Sequence, residues 1–516
     1  MAQNSDASKS LMQRTLDVVE AVGNKVPHPV IIFLILIGIV LVLSHILHLA
    51  GASVTYQVIN PETHEVEEAT TTAQSLLTAS GIRDMYTRLV PNFMGFTAIG
   101  LLVVAMVGVG VAEEAGLINA LIRMLVAVSP GWAMTYILAF VGIMSSIAAD
   151  AGYVVLIPLA GAAFLSLGRN PLAGLALGFA AVAGAFNVNM LIKPLDAVLT
   201  ELTNDAIHMV DPSRSIDLTA GLWFSIASVP FLTVVVALVT ERIIEPRLGA
   251  FVDAAGTLSG GNDEGARLTA QESRGLRYAM IGLIAVLVVF ALLVLPTNAP
   301  LRNPETGSII GNSPFMGALI VPIMFLFLVS GIGYGIGAGT VKTSGDVIAA
   351  MTKAVSGLGG TILLFLVISQ FIAYFNYSNI PTLMAVKMAD ALKAANIGPL
   401  WLLLGFIVVV TLLNFVFTPA IAKWAIFAPV FVPLFVTLAV DPAAVLSAYR
   451  VGDSPTNALT PLNAYFALVV GFAQKYDANA GIGTVVALLL PYAIWMTVLW
   501  TALFAGWYLL GLPWGI

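Results

Sequence analysis

The chain has 516 residues, of which 59% are hydrophobic and only 10% charged, and its mean hydropathy is +0.96. A soluble domain carries about 25% charged residues, so the composition is that of a membrane protein. The formal charge of −6, with no basic stripe, excludes nucleic acid as a partner, and the lack of cysteine excludes disulfides and thiolate metal sites.

Taken in order, residues 1–28 form an N-terminal interfacial segment, in which Ser8–Gly23 is amphipathic and too polar for a secretory signal core. The first crossing is Pro29–Leu49, and the acidic, threonine-rich loop Gly51–Leu89 follows. Phe93–Val128 is apolar but interrupted by Glu113-Glu114, which belong at a membrane surface. A re-entrant hairpin is predicted near 132–167, with Ser145, Ser146 and Asp150 at its tip. The next crossing starts at Pro171 and is broken at Asn187-Val-Asn189, and Leu218–Val239 spans. The loop Glu241–Arg277 holds five arginines and the flexible Ser259-Gly-Gly261. Tyr278–Leu295 and Phe315–Ile336 span, and a further crossing is broken at Asn376-Tyr-Ser-Asn379. A second re-entrant hairpin is predicted near 397–438, and the last span begins at Val485.

Lys and Arg in short loops mark the cytoplasmic side. The arginine-rich loop and the N-terminus (Lys9, Arg14, Lys25) are therefore assigned to the cytoplasm, and the acidic loop and C-terminus to the periplasm. The expected architecture is an all-α polytopic membrane protein with about nine transmembrane helices and two re-entrant hairpins of opposite entry. It divides into a first inverted repeat over 29–245, a cytoplasmic loop over 246–276, and a linking helix with the second repeat over 277–516.

The stretch Tyr449–Phe466 is the most informative. It lies between apolar runs yet carries Arg450, Asp453, Ser454, Thr456, Asn457 and Thr460 together with Pro455 and Pro461. A charge at bilayer depth costs ~3 kcal/mol or more and marks a substrate or ion pathway. Each proline frees backbone carbonyls that are tolerated only where they line a cavity or are buried in protein. A weak repeat supports a site here. Pro158 and Pro171 align with Pro429 and Pro442 at an offset of 271, and Lys193-Pro-Leu-Asp196 aligns with Thr460-Pro-Leu-Asn463 at 267. Two hairpins, each followed by a broken helix, are the footprint of an inverted-repeat transporter.

Four motifs, Val22-Gly-Asn-Lys-Val-Pro-His-Pro29, Gln370-Phe-Ile-Ala-Tyr-Phe-Asn376, Ala422-Lys-Trp-Ala-Ile-Phe-Ala-Pro429 and Tyr449-Arg-Val-Gly-Asp-Ser-Pro-Thr-Asn457, resemble the p-aminobenzoyl-glutamate transporter (AbgT) family over nearly the full length. The resemblance implies a homodimer of inverted-repeat protomers in the bacterial inner membrane. It implies transport of p-aminobenzoyl-glutamate or related folate fragments, and in some members export of sulfonamide antimetabolites. The residues that carry over are Asp196, Trp424, Pro442, Arg450, Asp453 and Pro461. One departure is Ile421 at the second hairpin tip, Thr418-Pro-Ala-Ile421, where relatives are richer in Ser and Gly.

At i, i+3 spacing Arg450 and Asp453 share a helix face and are expected to pair. Arg450 then serves either as a fork for an anionic substrate or as half of a structural ion pair. Asp196 and Asp453 are candidate proton carriers. Asn187, Asn189, Asn376, Asn414 and Asn457, with Ser146 and Asp150, offer oxygen ligands or interhelical hydrogen bonds. Trp424 is placed either to stack on an aromatic substrate or at an interface. No phosphate-binding loop and no His-Glu-x-x-His motif occurs, so neither ATP hydrolysis nor zinc chemistry is expected. The function expected is ion-coupled secondary transport of a small anion, with no cofactor and the proton as coupling ion. The alternative coupling ion is sodium, bound near Asn414, Thr418 and Asp453. A sodium-coupled dicarboxylate carrier, an ion channel and a membrane-embedded hydrolase are the other readings.

Overall fold

The computed structural model describes residues 27–59, 66–127, 129–147, 152–249, 251, 268–310, 313–395, 397–415, 417–460, 462–463 and 465–516. The N-terminal segment, most of the arginine-rich loop, Asp150 and Pro461 lie outside the described residues.

Among the described residues, eight helices are long and apolar enough to cross a membrane, or nine if one bent pair counts as a span. The first, α1 (Pro29–Leu49), leads into a two-stranded antiparallel ribbon, β1 (Ser53–Ile59) and β2 (Val66–Thr72). Next, α2 (Ala79–Met94) and α3 (Thr97–Ala115) make one long crossing, bent at Gly95-Phe96. The short helix α4 (Leu117–Ala127) precedes the first hairpin, made of α5 (Met134–Met144) and α6 (Ile157–Ser166). The broken crossing is α7 (Pro171–Gly184) with α8 (Pro194–Ile207), followed by α9 (Leu222–Val239).

The second half opens with α10 (Ala270–Val294) and α11 (Ile320–Ala338). An amphipathic α12 (Ser344–Ser356) leads to α13 (Gly359–Tyr377) and α14 (Ile380–Ala394). The second hairpin is α15 (Pro399–Asn414) with α16 (Ala420–Thr437). A second broken crossing, α17 (Pro442–Asp453) and α18 (Phe466–Gln474), precedes the final α19 (Ile482–Leu509). Among the described residues α16 is long enough to span, whereas the half-helices of the broken crossings are each too short to do so alone. Counting each broken crossing once and each hairpin as re-entrant gives nine crossings and two hairpins.

Contacts at the two ends fix the direction of each element. Gln74 N donates to Ser378 O, Thr382 Oγ1 to Met209 O, and Ile516 N to Thr219 Oγ1, so these segments lie at the ribbon end. The opposite end holds the Lys353–Glu114, Arg169–Glu245 and Arg123–Glu272 ion pairs. Arg169 also ties down Thr135 at 2.8 Å, so the first hairpin enters from this end. The base of the second hairpin faces the C-terminal tail across a surface cavity lined by Ala439, Asp441 and Ile516. The hairpins therefore enter from opposite ends, as an inverted repeat requires.

In a bilayer, helix association depends on close approach of small residues. A Cβ on Gly108 would lie 2.2 Å from Met324 O, and one on Gly331 2.7 Å from Ala112 Cα. Another on Gly333 would lie 2.7 Å from Tyr278 O. These glycines clamp α11 between α3 and α10, and α3 packs in turn on α8 through Ala105 and Ala197.

Candidate functional site

The site forms where both helix breaks and both hairpin tips meet. Pro194 ends the backbone hydrogen bonding that would otherwise continue α7 into α8, leaving 185–193 unwound. In the second repeat Pro455 stops α17 just past Asp453. Asn187 N donates to Ser454 Oγ at 3.2 Å. These two positions are 267 residues apart, the offset of the sequence repeat, so equivalent residues touch each other. Only residues on a two-fold axis do so, and the pseudo-two-fold passes through the helix breaks.

Five charged side chains are buried among the described residues, Lys193, Asp196, Lys423, Arg450 and Asp453, and all five gather here. The expected Arg450–Asp453 pair does not form. Arg450 Nη1 instead donates to Asp196 Oδ1 at 2.5 Å and to Asn187 O at 2.9 Å. Asp453 pairs with Lys423, whose Nζ lies 2.5 Å from its Oδ1. Asp453 Oδ2 accepts from Asn187 Nδ2 at 2.6 Å, and Tyr449 OH lies 3.2 Å from its Oδ1. The physical reason is that a buried charge needs several well-placed hydrogen bonds as well as an opposite charge. A neighbour on the same helix supplies one contact, whereas α8, the unwound segment at Asn187 and the second hairpin supply several. Gly452 permits the close packing of α17 on α15, since a Cβ there would lie 2.8 Å from Ile407 O.

The remaining residues divide into those at the cluster and those away from it. Asp196 caps α8 by accepting from Lys193 N at 2.9 Å. Asn414 Nδ2, with two hydrogens to give, lies 2.6 Å from Asp453 O and 2.9 Å from both Thr456 Oγ1 and Asn457 Oδ1, while its Oδ1 accepts from Lys423 Nζ. Asn189 donates to Met144 O at 2.9 Å and Ser146 Oγ at 3.1 Å, and so ties the first hairpin tip to the unwound segment. Trp424 is fully buried, with Nε1 donating to Thr203 Oγ1 at 3.0 Å and its ring 4.6 Å from that of Tyr449. It braces the second hairpin against α8 and presents no open face for stacking. Pro442 starts α17, more than two turns from Arg450. Asn376 is exposed near the end of α13 and does not join the cluster. Thr418 makes no hydrogen bond to the cluster among the described residues, and Ile421 is half-buried beside it. The space expected for sodium near Asn414 and Asp453 holds the Lys423 ammonium.

Lys193 and Lys423 were not assigned roles from sequence, although both stand inside quoted motifs. Lys193 Nζ donates to Phe186 O at the end of the first broken segment. A lysine inside an apolar segment is the signal that flags Arg450, and it applies equally to these two. Formally the cluster holds three cations against two carboxylates, an excess of one positive charge. Arg450 Nε and Asn187 Oδ1 are buried without a hydrogen-bond partner among the described residues. The cluster therefore presents an unused guanidinium donor beside an uncompensated charge, an arrangement that an anion would complete.

Comparison with known proteins places the chain in a family. The model of the AbgT putative transporter family matches residues 14–516. The p-aminobenzoyl-glutamate transport protein of Escherichia coli K12 is 32% identical over 517 residues, covering 100% of this chain and 98% of that protein. The YdaH transporter of Alcanivorax borkumensis, whose crystal structure is described as having an unusual topology, superposes with a TM-score of 0.86 at 42% identity, covering 95% of this chain and 100% of that one. MtrF of Neisseria gonorrhoeae, described as illuminating a class of antimetabolite efflux pumps, gives 0.90 at 36% identity, covering 96% and 97%. A multi-span membrane protein, this chain belongs to the AbgT transporter family.

Proposed function

We propose that the protein is a proton-coupled secondary active transporter of p-aminobenzoyl-glutamate or a closely related anion, and that the buried cluster is its transport site. The observation that carries this reading is the excess positive charge together with the unpartnered Nε of Arg450. A guanidinium hydrogen bond to a carboxylate is worth ~1.5–3 kcal/mol, enough to orient a glutamyl carboxylate but weak enough to release it. The 32% identical relative is a p-aminobenzoyl-glutamate transport protein, which supports the substrate class. Structural likeness to MtrF, described as illuminating a class of antimetabolite efflux pumps, supports antimetabolites as a second substrate class.

Protonating Asp196 or Asp453 raises the formal excess from one positive charge to two. Proton and anion binding then reinforce each other, and by linkage each strengthens the other equally. The hairpins enter from opposite ends and meet at the cluster, so movement of either one opens the site to one side only. In this reading the ribbon end and Ile516 face the periplasm of a bacterial inner membrane, and the working unit is a homodimer. The deciding experiment is counterflow of labelled p-aminobenzoyl-glutamate in proteoliposomes under an imposed pH gradient without sodium. Saturable accumulation is expected. Strict dependence on sodium with indifference to pH would favour the dicarboxylate-carrier mechanism, and unsaturable flux would indicate a channel.

A further inference from the structure

Two helix ends converge at the tip of the second hairpin. α15 ends at Asn414 and α17 at Asp453, and C-terminal helix ends carry partial negative charge. Their side chains add one amide oxygen and one carboxylate oxygen to the same point. Broken-helix C-termini with hard oxygen ligands are how inverted-repeat carriers hold a coupling cation. In this chain the cation at that point is covalent. Lys423, on the first turn of α16 and 1% exposed, sends Nζ to Asp453 Oδ1 at 2.5 Å and to Asn414 Oδ1.

The surroundings hold both oxygens toward that ammonium. The two hydrogens of Asn414 Nδ2 are shared among three acceptors on the opposite side, which leaves its Oδ1 facing Lys423, and Asp453 Oδ2 is taken by Asn187. The other buried cations, Lys193 and Arg450, are engaged by Phe186 O and by Asp196, on the side of the first repeat. The lysine therefore sits in a built oxygen site and meets its two acceptors from two separate helices, α15 and α17.

We infer that Lys423 is a tethered cation which occupies the ion site of the second hairpin and sets ion specificity, so that no soluble alkali cation is needed to assemble the site. An ammonium on a covalent stem cannot leave with the substrate, so sodium is not carried through this position. The inference rests on the reading of the cluster as the transport site and adds an ion-selecting residue to it. It makes a definite claim about what remains when the ammonium is removed, namely a vacant monovalent-cation site.

The test uses full-length protein purified in sodium and then exchanged into either sodium or choline chloride, with thermal unfolding as readout and no substrate present. Lys423→Ser opens the oxygen site, and sodium at ~100 times its dissociation constant is then expected to shift the folding equilibrium about 100-fold relative to choline. Wild-type protein and Lys423→Gln, which fills the space with a neutral donor, are expected to unfold alike in the two salts. The inference is overturned if Lys423→Ser shows no sodium effect, if wild type or Lys423→Gln shows an equal one, or if Lys423→Ser fails to fold in both salts. Because no substrate is used, a failed outcome here leaves the anion-transport reading to be judged separately by counterflow.

Discussion

Replacing Arg450 separates its two tasks, pairing with Asp196 and offering a free donor. Arg450→Ala removes the charge 2.5 Å from Asp196 and leaves that carboxylate, 7% exposed, with the Lys193 backbone N–H as its one hydrogen-bond donor among the described residues. Breaking a buried pair from one side costs ~3–5 kcal/mol, so this variant should unfold far more readily and bind no anion. Arg450→Lys keeps the charge and can still reach one acceptor, but loses the Nε donor and the planar fork. Losing one charge-assisted hydrogen bond of ~1.5–3 kcal/mol weakens binding by roughly 10- to 100-fold. Equilibrium binding of labelled p-aminobenzoyl-glutamate, alongside thermal unfolding, measures both quantities. A double-mutant cycle should show strong coupling of Arg450 with Asp196 and little with Asp453, since the structure pairs Arg450 with the former. Recovery of both folding and uphill transport in Arg450→Met with Asp196→Leu would refute the reasoning, because the pair would then be structural only.

Four further outcomes are expected. Asp453→Asn keeps one oxygen to accept from Lys423 and gains an Nδ2 that can donate to Asn187 Oδ1 once that amide flips, but removes a protonatable group; substrate exchange should persist while accumulation against a gradient is lost, as read by counterflow against net uptake. Gly331→Val forces a side chain into the α3 backbone, where a Cβ already lies 2.7 Å from Ala112 Cα; overpacking costs ~1–3 kcal/mol, so the melting temperature should fall with transport per folded molecule unchanged. Single cysteines at the exposed Thr70 and Thr352, in a chain that lacks cysteine, should label with an impermeant thiol reagent from opposite sides of the membrane; labelling of both from one side would overturn the nine-crossing arrangement. At the start of the surface helix α12, Asp346 accepts from Lys342 N and Thr343 N, each at 2.8 Å, which holds its carboxyl below the ordinary value of 3.8. The cap is therefore complete above the ordinary carboxylate range and is lost as pH falls through the lowered folded value. Hydrogen exchange at 344–347 should rise only in that acid window, and at every pH in Asp346→Ala.

Much of the architecture was legible in the chain alone. Runs such as Pro29–Leu49 must span, because an apolar segment of ~20 residues has no other stable place. Asn187-Val-Asn189 and Arg450 to Pro455 must sit at breaks, because polar groups and prolines at bilayer depth are tolerated only where protein or a cavity receives them. The opposite entry of the two hairpins followed from counting crossings between basic loops. What sequence could not decide was partnership. Arg450 and Asp453 lie three residues apart on one helix, and local spacing paired them, yet the chain brings Asp196 from 254 residues away and Lys423 from 30 to pair with them instead. The same limit hid the role of Lys423, whose meaning depends on Asn414 and Asp453 converging on it, and the role of Trp424, whose indole N–H reaches Thr203 on another element. Hydrophobicity and helix-breaking act along the chain and can be read there. Pairing of buried charges is settled by desolvation and geometry in three dimensions, and only the packed helices supply those.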